Sequence, residues 1–188
     1  TATDLPPTPY RSGYPVDKIP TIEASKANES YVKYMQKFIG CLNWLSISTR
    51  PDIATITNMI AKYTIIPTKG HIDAIKRVIK YLKGTKSKGI LFTTTSSAKI
   101  SAYVKFPVPN NKVVSMCDAN WGPQDQSVPK TSRQSQQLPL FHTRSVSGFL
   151  LWLGGPLHWV SKRQSITARS SAESEIYATD ECCKALIH

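Results

Sequence analysis

The sequence contains 188 residues with the apolar content of an ordinary globular protein, so its length suits one domain or two small ones. Its longest apolar run is a five-residue stretch at 149–153, far short of the roughly 20 residues that span a bilayer. The start of the chain also lacks the basic residues and apolar core of a signal peptide. We therefore expect neither a membrane partner nor a secretory leader.

Positive charge is concentrated in the first half of the chain. The formal net charge is +12, from 24 Lys and Arg residues against 12 Asp and Glu residues. Residues 1–100 hold 15 basic and 6 acidic residues, a net +9, whereas residues 101–188 hold 9 and 6, a net +3. Such a surplus favours a polyanionic partner, most often nucleic acid. The alternative is a basic protein without such a partner.

The four cysteines show no spacing that is typical of a metal site. They are Cys41, Cys117, Cys182 and Cys183, and the last two are adjacent and poorly placed to bridge each other. The simplest interpretation is that they are reduced core residues of a cytosolic or nuclear protein.

A helical pattern follows a proline-rich start. Residues 1–27 contain five prolines and no sustained periodicity, which predicts an extended arm or linker. Apolar residues recur at helical spacing over residues 29–45, which predicts a first helix. Pro51 suits the start of a second helix, and Pro67 follows the end of that helix.

A third helix is predicted from about Thr68 to Lys83, with Gly84 as its stop. Seven basic residues and one acidic residue lie between Lys69 and Lys88. Lysines one helical turn apart can follow a phosphate backbone without reading its sequence. A solvated basic face is the alternative. The candidate nucleic-acid-binding residues of this helix are Lys69, Lys76, Arg77, Lys80 and Lys83.

After the third helix the pattern changes to β structure. Strands are predicted at residues 89–95, 112–118, 145–153 and 157–162. Gly154 and Gly155 separate the last two strands, which is a strong hairpin signal. A final helix follows, so the sequence predicts an α+β fold.

The final helix raises the question of which carboxylate has a chemical role. Ser170 and Glu173 form a capping box, which gives Glu173 a structural role. The neighbours of Glu175 at helical spacing are mostly small or apolar, so we expect Glu175 to pack on the sheet, where burial requires a partner. Asp118, at the end of a predicted strand, can supply one. Two converging carboxylates need a hard cation such as Mg²⁺ between them.

Five stretches, taken in chain order, resemble a single family. They are FIGCLNWLSISTRPDIA (38–54), HIDAIKRVIKYLKGTKSKGILF (71–92), CDANWG (117–122), SVSGFLLWLGGPLHWVSKRQ (145–164) and SSAESEIYA (170–178). Together they resemble the Pol polyprotein of copia-type LTR retrotransposons, from the end of the reverse transcriptase into ribonuclease H. The segment TPYRSGYPVD (8–17) is similar to the stretch that follows the polymerase palm in this family.

The resemblance implies a ribonuclease H that cuts the RNA strand of an RNA–DNA hybrid, with four acidic residues holding two Mg²⁺ ions. The first acid of the family falls on Asp118. The second acid, the last glutamate of a TEAE motif, falls on Glu175. Both are therefore expected to be catalytic residues and metal ligands. Trp121, beside Asp118, is a candidate substrate contact.

The sequence also departs from the family. The third and fourth acids of the family belong to elements beyond the last helix, and no residue here matches them. The polymerase signature YxDD is absent. Extra residues lengthen the link after the first acid, within residues 123–144.

These features predict an α+β chain in three parts. An arm (1–27) precedes a helical thumb- or connection-like module (28–88) and an incomplete ribonuclease H-like domain (89–188) with a mixed sheet and one helix. The implied function is Mg²⁺-dependent hydrolysis of hybrid RNA by the intact polyprotein, in a cytoplasmic virus-like particle, the nucleus or both. Its partners would be nucleic acid and the rest of Pol. The alternative is a truncated, catalytically inactive remnant that only binds nucleic acid.

Overall fold

The computed structural model describes residues 5–10, 29–65, 67–92, 112–121 and 144–187. The chain divides into two compact units, one within residues 1–90 and one within residues 91–188. The first unit is helical, and the second combines a small sheet with one helix, which confirms the α+β class. In these ranges, none of the helices combines the length and hydropathy needed to cross a lipid bilayer.

Three α-helices and a short 3₁₀ turn form the described part of the first unit. Helix α1 spans Glu29–Ser48, the 3₁₀ turn Pro51–Ile53, α2 Ala54–Ala61 and α3 Lys69–Gly84. Pro51 begins the 3₁₀ turn because its fixed φ suits a first helical position, where no N–H partner is needed. The apolar faces of the helices meet in a core that includes Met35, Leu42, Ile53, Ile60, Ile75 and Val78. The three helices predicted from periodicity are confirmed.

Residues 5–10 lie against this helical core. Tyr10 packs on it, and Leu5 covers Gly84, where an added Cβ would meet the Leu5 side chain at 3.2 Å. Gly84 is the last residue of α3, with Thr85 as the C-cap. Among the described residues, positive φ occurs at Gly154 alone. Gly84 therefore does not stop the helix through a left-handed conformation; it permits close approach of Leu5.

A capping box in which histidine replaces the usual glutamate fixes the start of α3. The Thr68 N–H donates to His71 Nδ1 at 2.9 Å. The His71 ring is buried and stacks on Tyr63, with 4.2 Å between the ring centroids. The same imidazole therefore satisfies a helix-end donor and fills the core.

A buried arginine joins the 3₁₀ turn to the end of α3. Arg50 donates to both carboxylate oxygens of Asp52, at 2.9 and 2.7 Å, and to the Thr85 hydroxyl at 2.7 Å. The Tyr81 hydroxyl also donates to Asp52, at 2.7 Å. The hydrogen bond to Asp52 raises the pKa of Arg50. Burial opposes ionisation of Asp52, but the hydrogen bonds from Arg50 and Tyr81 outweigh it and lower the pKa of Asp52.

In its described residues, the second unit is a three-stranded sheet covered on one face by a helix. Strands β1 (Val114–Asn120), β2 (Val146–Trp152) and β3 (Pro156–Arg163) lie in that order, and α4 spans Ser171–Ile187. Both strand pairs are antiparallel. Gly154, with φ of 64°, lies between β2 and β3, so the predicted hairpin is confirmed. A mixed sheet stays a prediction, since the described strands pair only in the antiparallel sense.

The strand predicted at residues 89–95 is wrong over its described part. Residues 89–92 contain no strand, and residues 93–95 lie outside the described ranges. An added Cβ on Gly155 would meet the Phe92 ring at 2.6 Å and the Leu91 carbonyl oxygen at 2.8 Å. These residues therefore pack on the hairpin turn instead of pairing along the edge of a strand.

Replacing Asp52 with Asn should destabilise the helical unit by about 1–2 kcal/mol, because Arg50 loses its charged partner while the exposed part of Asp52 limits the loss. The stabilising effect of Asp52 is fully present above the unfolded pKa of 3.8 and is lost as the pH falls through the lower folded value. The difference between wild type and Asp52→Asn should therefore shrink in acid. Hydrogen–deuterium exchange of the α3 amides, corrected for intrinsic rates, measures this difference in stability at each pH.

Asp73→Asn is the matched control on α3. Asp73 is partly exposed, and its carboxylate lies 3.8 Å from the exposed Lys76 ammonium, a long and weak ion pair, so its replacement should change the free energy of unfolding by less than about 0.5 kcal/mol. Equal effects of the two substitutions would show that the Arg50–Asp52 pair has no special role.

Candidate functional site

The start of α4 is capped by its own sequence, as predicted. The Glu173 N–H donates to Ser170 Oγ at 3.1 Å. The Glu173 carboxylate accepts from the Arg169 N–H at 2.6 Å, one residue before the position that a standard capping box uses. Its charge also complements the helix dipole. Glu173 therefore has the structural role that the sequence indicated.

A narrow apolar strip holds α4 on the sheet. Ala178 and Cys182 are buried, and Cys182 packs with Phe149 of β2. On β1, the Cys117 thiol lies 3.5 Å from the Thr179 hydroxyl. The helix therefore crosses β1 and β2 on one face of the sheet, as expected for a helix that packs over the strand of Asp118.

The expectation of core cysteines holds only for Cys182. Its burial raises the pKa of its thiol. Cys41, Cys117 and Cys183 are free and exposed, although Cys117 lies on the face of β1 that contacts α4.

Glu175 is exposed, so the prediction that it is buried on the sheet is wrong. Its long side chain reaches past the apolar strip to β1, where the Ala119 N–H donates to Glu175 Oε2 at 3.0 Å. Amides alternate between the two edges of a strand, so this amide points away from β2. The Glu175 carboxylate therefore lies at the edge of β1 that has no partner among the described strands.

Asp118 is the residue before Ala119 on β1 and is also exposed. Side chains alternate along a strand, so Cys117 and Ala119 face α4 and Asp118 emerges on the other face. The structure thus brings Glu175 to the backbone beside Asp118, at an edge that side chains from both faces can reach. The sharing of one ion by the two carboxylates stays a prediction.

The chemistry of these donors fits Mg²⁺. Mg²⁺ prefers oxygen ligands and is commonly held by one or two carboxylates, with waters and substrate phosphates completing its shell. Across the described ranges, no group of three or more His, Cys, Asp or Glu side chains could hold a metal. Two carboxylates, as at Asp118 and Glu175, fit an ion of this kind.

Trp121 anchors the loop that precedes α4. Its Nε1–H donates to the Ala168 carbonyl oxygen at 3.2 Å, and the side chain stays 38% exposed. The indole N–H is therefore used within the protein. Only the ring remains for the predicted substrate contact, through stacking on a base.

Gln164 is a site component that the sequence analysis missed. It follows β3 and is 1% exposed. Its Nε2 donates to Ser147 Oγ at 3.0 Å and to the Ser174 carbonyl oxygen at 2.9 Å, and its Oε1 is buried without a hydrogen-bond partner. In the sequence, a glutamine after a strand resembles turn material, and only its spatial neighbours show that it is buried.

The predicted nucleic-acid-binding residues lie on the outer side of α3. Lys69, Lys76, Lys80 and Lys83 are exposed, and the buried residues of the helix occupy the other side. Arg77 differs, since it is half-buried and its Nε has no hydrogen-bond partner. The helix therefore presents a row of ammonium groups to solvent.

The chain is similar to known proteins of two kinds. The retrovirus-related Pol polyproteins from transposons RE1 and RE2 of Arabidopsis thaliana are 31% and 32% identical to it over 139 residues, which is 73% of this chain but 7% and 8% of theirs. Secreted RxLR effector protein 161 of Plasmopara viticola is 31% identical over 144 residues, 76% of this chain and 82% of that protein. The chain thus spans most of the effector and less than a tenth of each polyprotein.

No family model and no solved structure matches the chain. The Pol polyprotein from transposon TNT 1-94 of Nicotiana tabacum extends the similarity to 89% of the chain, at 25% identity and over 10% of that protein. Taken with the matches to RE1 and RE2, this shows that the chain belongs to the copia-type retrotransposon Pol polyprotein family.

Proposed function

We propose that this chain supplies two acidic ligands of a ribonuclease H site, with which the intact polyprotein hydrolyses the RNA strand of RNA–DNA hybrids in the presence of Mg²⁺. The observation that supports this most is the hydrogen bond from the Ala119 amide to Glu175. It holds the second matched acid beside the first, Asp118, at the edge of β1 that has no partner among the described strands. The α+β unit with α4 laid over β1 is compatible with the ribonuclease H-like fold that the sequence motifs imply.

In this proposal Asp118 and Glu175 would hold the metal. Bound Mg²⁺ would supply an activated water and stabilise the charge on the leaving oxygen. Glu175 Oε2 accepts from Ala119, so Oε1 is the oxygen left to face an ion. A carboxylate that is already oriented by a backbone amide loses little side-chain entropy when it binds metal. The Trp121 ring, beside the same strand end, would stack on a base.

The basic side of α3 would bind the phosphate backbone of the hybrid. Its exposed lysines follow one another after seven, four and three residues, that is, after one or two helical turns. Their contacts would therefore position the nucleic acid without selecting a sequence. The excess charge of the first half of the chain, +9 against +3, supports this assignment.

The second candidate function is nucleic-acid binding without catalysis. Only two of the four acids that the resemblance implies have matching residues in this sequence, and the α3 lysines belong to the other compact unit. Binding through α3 therefore does not require a complete metal site.

Replacing Lys76, Lys80 and Lys83 together with Ala should weaken binding to an RNA–DNA hybrid by about tenfold or more at low salt, because phosphate contacts dominate the affinity. The slope of log K against log salt concentration should also fall by about one for each lysine that contacts a phosphate. Fluorescence anisotropy with a labelled hybrid, measured across a KCl series, gives both quantities.

Lys162 and Lys184 provide the control. They belong to the second compact unit, not to the basic side of α3, and their ammonium groups pair with Glu181 and Asp180, at 2.7 and 2.5 Å. Changing both to Ala should therefore leave the salt slope unchanged. Hybrid binding that is insensitive to the α3 substitutions would refute the assignment of the basic side.

The 188-residue chain should bind Mn²⁺, used as a paramagnetic substitute for Mg²⁺, and should cleave the hybrid little or not at all. Asp118→Asn and Glu175→Gln should each weaken Mn²⁺ binding by about tenfold or more, because each removes a ligand charge. Electron paramagnetic resonance of free Mn²⁺ measures the affinity, and gel analysis of a labelled RNA strand measures cleavage.

Asp180→Asn is the matched control, since Asp180 lies on the same helix and is paired with Lys184. It should leave Mn²⁺ binding unchanged. The metal assignment is wrong if Asp180→Asn and Glu175→Gln weaken binding equally. Strong cleavage that Asp118→Asn abolishes would show that two matched acids suffice and would exclude the binding-only candidate.

A further inference from the structure

We infer that Gln164 is the positioning residue for Glu175, and thus for the proposed metal site, because it ties the first turns of α4 to the sheet at the level of Ala119. The inference rests on the proposed role of Glu175 as a metal ligand.

Gln164 connects three elements through buried hydrogen bonds. Its backbone N–H donates to the Ser145 carbonyl oxygen at 2.8 Å, next to the start of β2. One side-chain N–H reaches Ser147 of β2, and the other reaches the Ser174 carbonyl oxygen of α4. Ser145, Ser147 and Ser174 are all 0% exposed. A single side chain therefore fixes the distance between β2 and α4 away from solvent.

These contacts form a closed ring. Ser174 directly precedes Glu175, whose carboxylate accepts from the Ala119 amide. Ala119 is the register partner of Ser147 on β2, and Ser147 bonds to Gln164. The position of the Glu175 carboxylate on β1 therefore depends on the same bonds that hold Ser174 over β2.

The apolar contact beneath α4 cannot set this position alone. Only Ser174, Ala178 and Cys182 of α4 are buried, and such a narrow strip tolerates sliding because apolar contacts are non-directional. Hydrogen bonds are directional. The Ser174 carbonyl requires a donor, so the Gln164 amide must point its Nε2 towards α4.

The unpaired Gln164 Oε1 supports a specific role for the two donors. A buried acceptor without a partner is unfavourable, and an apolar side chain of similar size would avoid that cost. Glutamine suits this place because its NH₂ group can serve Ser147 and Ser174 together.

The test uses Gln164→Met in the full chain, a change that keeps side-chain length and removes both donors. In the metal-free protein, the ¹H–¹⁵N resonance of the Ala119 amide should move in the same direction as in Glu175→Ala, because both changes loosen its hydrogen bond. The Kd for Mn²⁺ should rise about 10- to 100-fold, the usual effect of losing a residue that orients a metal ligand. An unmoved Ala119 resonance in folded Gln164→Met would overturn the inference.

Two further variants keep the test decisive. Gln164→Asn retains the amide on a stem too short to reach both partners, and it should move the Ala119 resonance even if Gln164→Met does not fold. Val160→Ala trims a partly buried side chain of the apolar cluster beneath α4, a cluster that includes no member of the ring. It should lower stability and leave the Ala119 resonance in place. If Val160→Ala and the Gln164 variants displace the Ala119 resonance equally, Gln164 contributes only to general packing. That result would refute the positioning role.

The two proposals fail in distinguishable ways. If the wild-type chain binds no Mn²⁺ while Ala119 still responds to Gln164→Met, the metal assignment fails and the positioning of Glu175 by Gln164 stands.

Discussion

Helix α4 rests on its sheet through a small apolar strip, and polar contacts on its two sides fix where it lies. On the β1 side, Glu175 accepts from Ala119. On the β3 side, Glu181, whose side chain is 13% exposed, pairs with Lys162 at 2.7 Å. The two glutamates are six residues apart, about 9 Å along the helix axis. Contacts at two levels and to opposite edges of the sheet resist both sliding and rotation, so the carboxylate of Glu175 is held at one place on β1.

The helical unit is subject to a different constraint, because α3 carries a row of like charges. Lysines at one-turn spacing repel one another and destabilise an isolated helix. Both ends of α3 are tied down: Thr68 and His71 cap its start, and Arg50 bonds to Thr85 just past its end. The Arg50 bonds also bring a cation to the helix C-terminus, where the dipole favours it. These end contacts let the lysines stay on the outer side of the helix.

Local signals explain most of what could be predicted from the sequence. Pro51, Gly154 and the Ser170–Glu173 pair act within a few residues of themselves, and the elements that they mark are present. The errors concern partners distant in the chain. Residues 89–92 have strand composition but contact a hairpin turn. Glu175 lies on the predicted side of its helix, but its carboxylate extends past the apolar strip to Ala119 and stays exposed. Gln164 has no sequence signal, because its three serine partners come together only in the fold.

The basic residues of α3 and the matched acids lie in different units, so one group of residues can be kept when the function of the other is lost. The basic helix belongs to a unit with its own core, and the matched acids belong to the other unit, which also has its own, smaller core. Under the proposed function, loss of acids elsewhere in the polyprotein would end catalysis but would leave the lysines of α3 in place. The proposed nucleic-acid binding would then persist without the proposed chemistry. Its occurrence as less than a tenth of long Pol polyproteins and as most of one short effector fits such modular independence.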